Sequence, residues 1–189
     1  MQTLGLSDST PRTESRLRAL FWPTIRNDVD FDYVTAQGFW ICFAVGLLTA
    51  AVSLFNGTAP EGLFEGAFFL LAGMGVRQRS RIAGQAAFAA YLLRALVLIR
   101  YYARPPGFLD CVFLALLFAN IRGNWLSARW AKEQGVTEPP VRLNQTIGDR
   151  LSDQLPRVVW PKGRFLFYAL AGVEVALLLV ALVAPRPGR

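Results

Sequence analysis

The stretch FLFYALAGVEVALLLVALVA, residues 165–184, decides the fold. It is twenty residues long, carries a single charge at Glu174, and lies between Arg164 and Pro185. At about 1.5 Å per residue a helix of that length crosses a hydrocarbon core of about 30 Å. In such a core every backbone amide has to be satisfied inside the segment, which leaves a helix as the one open structure that spans.

Four more blocks of the same kind lie upstream. The first covers about 36–55 and ends in Asn56-Gly57-Thr58, a turn signal. A second covers about 62–76 and stops at Arg77, Arg79 and Arg81. The third, about 82–102, ends with Tyr101, Tyr102 and the Arg104-Pro105-Pro106 turn. The fourth, about 107–121, continues as helix through Arg122, Trp125, Arg129 and Trp130 into the interface. The expected architecture is therefore an all-α polytopic membrane helical bundle with five transmembrane helices. Its parts are a cytoplasmic segment 1–35, a four-helix body 36–130, a cytoplasmic loop 131–163 and a C-terminal span with tail, 164–189. Residues 1–15 read as disordered by composition, and Arg16 to Trp22 read as a short interfacial helix stopped near Pro23. In the loop, Leu143, Ile147, Leu151 and Leu155 recur every four residues, the stripe of an amphipathic helix on the membrane or on the bundle. No signal peptide is read in the polar first 36 residues.

Charge sets the orientation. The chain carries +7, and 18 of its 20 basic residues are arginine. They gather at the ends of apolar blocks, which points to lipid and away from nucleic acid. Three arginines lie in 77–81 and eight Lys or Arg in 122–164, against none in 56–62. That places the N-terminus in the cytoplasm and the C-terminus outside, with Arg100, Arg104, Arg186 and Arg189 against the rule. Arg77, Arg79, Arg81, Arg122, Trp125 and Trp130 are the expected interfacial anchors, and the arginine-over-lysine bias suggests a bacterial inner membrane.

There is no histidine, so bis-histidine haem ligation, imidazole zinc sites and histidine general bases are excluded. Cys42 and Cys111 sit inside apolar blocks and read as packing residues. No nucleophile has a positioned base and no metal spacing occurs, so no catalytic residue, metal site or cofactor is assigned.

Two segments align without a gap at an offset of 45 residues. Gly62, Glu65, Phe68 and Arg77 match Gly107, Asp110, Phe113 and Arg122. The match suggests two helical hairpins related by a pseudo-twofold along the membrane normal, as in some transporters; chance likeness between two apolar helices is the plainer alternative.

Four charges fall inside the apolar blocks: Glu65, Arg94, Asp110 and Glu174. Each costs about 2.5–3.5 kcal/mol near a bilayer centre. Glu65 lies 12 residues from Arg77, Arg94 13 from Arg81, Asp110 12 from Arg122 and Glu174 10 from Arg164. All four are thus about 15–20 Å from the same edge and can meet in one layer. Arg94 is expected to pair with one or two of the three acids, either as a staple that fixes helix register or as a site for a proton, cation or small polar solute.

From Phe21-Trp22-Pro23-Thr24-Ile25-Arg26 to about Trp130, the chain resembles a group of small bacterial four-helix integral membrane proteins of uncharacterised activity. The likeness rests on that opening, on the Glu65 helix running into Arg77-Gln78-Arg79-Ser80-Arg81, and on Asn120-Ile121-Arg122-Gly123. It implies a four-helix unit and supplies no substrate or catalytic residue.

Function is bounded accordingly. One expectation is a non-enzymatic accessory or structural subunit, packing against other membrane proteins or itself within the lipid bilayer. The other is a small channel or transporter using the Glu/Arg/Asp layer.

Overall fold

A computed structural model describes residues 16–22, 24–25, 28–135 and 147–185. The expectations for 1–15, Pro23, 136–146 and the tail Arg186–Arg189 lie outside the described residues. Those residues form six helices and no strand: α1 (Arg16–Phe21), α2 (Asp28–Phe55), α3 (Ala59–Arg77), α4 (Arg81–Tyr102), α5 (Phe108–Gln134) and α6 (Ile147–Val183). Four of them, α2, α4, α5 and α6, are long and apolar enough to cross a membrane.

Local chemistry explains the breaks. Gly57, at φ 75°, turns the chain between α2 and α3 in a conformation that only glycine adopts freely. Pro60 occupies the first turn of α3, where its missing N–H is no loss. The Ser80 hydroxyl accepts the Ala83 N–H at 3.3 Å and starts α4. Asp110 accepts the Gly107 N–H at 2.8 Å and starts α5, which ends at Gly135 with φ 68°.

Helices α2, α3, α4 and α5 form a ring in which each touches the next and α5 closes on α2. Helix α6 lies along α3 and α4, and α1 rests on α5. The tightest seam is α2 against α3. A Cβ on Gly62 would overlap Ser53, and one on Gly66 would lie 3.0 Å from the Ala50 Cβ. One on Gly73 would lie 3.1 Å from the Cys42 Cβ. Small residues bring the backbones together where lipid offers no hydrophobic push. These contacts run from Ser53, near the end of α2, back to Cys42 at its middle, so α3 folds back antiparallel on α2. Phe39, Phe68, Phe69, Leu117 and Phe167 fill the centre fully buried, with Phe68 and Phe167 stacked at 5.6 Å between centroids.

Two expectations need revision. From Ile147 onward the amphipathic stripe and the final span are one continuous helix, α6, of 37 residues, and Leu143 lies outside the described residues. Pro156 and Pro161 stand inside it, although they read as loop markers. Pro156 is buried, and Trp160 packs inward against Gly75 and Phe167. Tertiary packing there overrides proline's cost in a helix. The boundary expected at 35/36 falls within α2.

Candidate functional site

Two arginine-centred layers cross the bundle. One gathers at the end where α2 starts. The Arg77 guanidinium, on the last residue of α3, donates from Nη2 to Asp32 Oδ1 and to Asp153 Oδ1, each at 2.5 Å. From Nη1 it donates to the Asp32 carbonyl at 3.0 Å and to the Thr35 hydroxyl. Ser152 donates to Asp153 Oδ1 at 3.3 Å. Three helices, α2, α3 and α6, are clamped by this one side chain, which is 3% exposed. Nearby, Asn124 on α5 donates to the Ser80 carbonyl at 3.2 Å, fastening α5 to the α3–α4 turn.

The other layer lies within the helices. Arg94 on α4 forms an ion pair with Glu65 on α3. Glu174 on α6 is buried and feels both charges electrostatically. Tyr91, one turn from Arg94 on α4, donates to Asp110 Oδ1 at 3.1 Å and lies within electrostatic reach of Glu65 and Arg94. Of the four charges expected to share a layer, Arg94 and Glu65 pair directly, while Asp110 is bonded to Tyr91, one turn from Arg94 on α4. Asp110 itself divides its two oxygens between Tyr91 and the start of its own helix.

The chain matches no protein-family model, no curated protein and no solved structure. The reading of these layers therefore rests on their chemistry.

Two carboxylates face one guanidinium in the Arg94 layer, and Glu65 holds it by direct contact. Among the described residues no group of three or more metal-ligating side chains assembles. The expected anchors divide. Arg81 lies over the Trp125 ring at 4.6 Å and Arg122 over the Trp22 ring at 4.2 Å, both at the Arg77 end. Trp130 is half-buried on α5, and Arg79 is half-buried in the α3–α4 turn. Arg77 differs from an anchor in contact with headgroups because its side chain is spent on carboxylates inside the protein.

Sequence reasoning passed over Tyr91, Asp32 and Thr35, and placed Asp153 in a loop. A signal existed for two of them. Folding the α2–α3 hairpin at 56–58 with antiparallel register brings Arg77 opposite Asp32 and Thr35, which share a helix face at i and i+3.

Proposed function

We propose that the chain is an integral membrane protein of five spans that works as a non-enzymatic accessory subunit, packing against other membrane proteins or copies of itself. The proposed fifth span is α3, which folds back antiparallel on α2 over most of its own length. Positive charge at the Arg77 end supports a cytoplasmic N-terminus and an outer C-terminus in a bacterial inner membrane. The observation that carries the subunit reading is the commitment of Arg77 and Arg94 to carboxylates on other helices. Such pairs fix register between helices, the best-attested use of buried charge. Purification in a gentle detergent with mass measurement tests it: a defined complex larger than one chain is expected, and a lone monomer would overturn the reading.

A second reading, a small channel or transporter for protons or cations, is favoured by one observation. Glu174 is buried beside an arginine already held by Glu65. Proton and small-cation flux into liposomes, wild type against Glu65→Gln, Asp110→Asn and Glu174→Gln, decides it. Identical background flux in all four removes transport.

A further inference from the structure

We infer that one water molecule is built into the ring of α2, α3, α4 and α5, bridging Asn120 and Asn124 where the four helices meet at the Arg77 end.

Glycine sets the place. On α2, a Cβ at Gly38 would overlap Asn120 Oδ1 and lie 2.6 Å from one Val76 methyl on α3. On α4, a Cβ at Gly84 would lie 2.9 Å from Asn124 Nδ2 and 3.8 Å from the other Val76 methyl. Two helices thus give up a side chain at the points that the two carboxamides of α5 occupy, and the fully buried Val76 stands between them. Asn120 and Asn124 are one helical turn apart, so both leave the same face of α5. Ser127 follows on that face, and the three are 5%, 2% and 0% exposed. A turn earlier the face becomes apolar at the fully buried Leu117.

The hydrogen bonds of this pair do not close within the protein. Asn124 donates from Nδ2 to the Ser80 carbonyl at 3.2 Å. That bond fixes which way the carboxamide is turned, because its oxygen in the same place would face another oxygen. Asn124 Oδ1 is therefore an acceptor, and no described residue donates to it. Asn120 Nδ2 carries protons and meets no acceptor among the described residues. The Ser127 hydroxyl proton is spent on the Gly123 carbonyl at 2.7 Å. Both carboxamide atoms are shielded from bulk water, so each needs a partner at hand. The two atoms define that partner: a group that accepts from Asn120 and donates to Asn124. A cation would meet the Asn120 amide protons, and an anion would meet the Asn124 oxygen. Water does both, and a donor and an acceptor one turn apart give it the two polar partners that a buried water requires.

A crystal structure of the full chain at a resolution that shows ordered water tests the site. A peak is expected about 2.7–3.2 Å from both Asn120 Nδ2 and Asn124 Oδ1. A map without that peak, or one in which the two carboxamides bond each other directly, overturns the inference. Contact is read independently by magnetic resonance on the full chain in nanodiscs. The Asn120 side-chain amide protons should give a rotating-frame cross-peak to water with the sign of contact, which is opposite to that of exchange. Absence of the cross-peak, or the exchange sign, overturns it. Asn124→Leu fills the place with carbon and should abolish the cross-peak, whereas Asn124→Ala leaves room for water and should keep it. A cross-peak unchanged in Asn124→Leu removes the bridge. Should Asn124→Leu fail to fold, the wild-type map and cross-peak decide by themselves.

Discussion

Arg77 and Arg94 are the same residue type put to work in two regions, and they differ in how their charge is spent. Arg77 stands at a helix end, 3% exposed, and touches two carboxylates, a hydroxyl and a carbonyl directly. Arg94 stands mid-helix, 36% exposed, and touches one carboxylate while a second lies within electrostatic range. Burial without slack makes the first a clamp: each of its neighbours loses a partner if it goes. The second layer leaves its arginine one-third exposed and held by a single carboxylate, so less depends on it.

The largest expected effect follows from removing the clamp. Arg77→Gln takes the guanidinium from buried Asp32 and half-buried Asp153, which costs about 3–5 kcal/mol, read as a lowered unfolding midpoint in detergent. Arg77→Lys should recover only part of this, because an ammonium cannot match the fork that reaches Asp32 and Asp153 from one nitrogen and Thr35 from the other. Arg94→Gln comes next, at about 1.5–3 kcal/mol for one lost charge-assisted contact, lessened by the water that reaches a one-third exposed side chain. A larger loss at Arg94 than at Arg77 would break the comparison.

How far the sequence carried this picture follows from the same two regions. Counting residues from each intramembrane charge to the arginine at its helix end put Glu65, Arg94, Asp110 and Glu174 at one depth, and of these Arg94 and Glu65 pair directly. Helical rise is constant, so depth is legible. Lateral direction is less so: periodicity did not reveal that Tyr91 turns to Asp110, because a tyrosine in an apolar helix reads as packing. The Arg77 clamp was hidden for another reason. Asp32 sits in a polar run, Asp-Val-Asp-Phe-Asp, that looked like a segment ahead of the helix, yet α2 begins at Asp28. Pro156 and Pro161 hid the continuity of α6 in the same way, so Asp153 seemed to belong to a loop. The apolar blocks were legible because lipid leaves one local solution, whereas helix ends depend on partners that only the folded chain supplies.

Asn124→Ala sharpens the claim that the whole Arg77 end is fastened, not Arg77 alone. Its amide holds the Ser80 carbonyl at 3.2 Å, so losing it should cost about 1 kcal/mol. The effect stays that small because the Asn124 Oδ1 already lacks a partner among the described residues. A loss equal to that of Arg77→Gln would mean that α5 bears the load attributed to the clamp.

The smallest effect is the most discriminating. If Glu174 is a protonated acid beside an occupied arginine, then Glu174→Gln replaces one neutral, donor-bearing group by another of the same shape. Stability should then stay within about 0.5 kcal/mol of wild type between neutral and mildly acidic pH. If instead Glu174 is an ionised third member of the Arg94 pair, the substitution removes a charge-assisted contact and costs about 1.5–3 kcal/mol, as Arg94→Gln does. Unfolding curves for Glu65→Gln and Glu174→Gln in the same detergent settle the difference. Equal losses would make the layer a three-membered staple and erase the contrast with Arg77. A loss confined to Glu65→Gln would leave Glu174 as the one carboxylate that stability does not explain.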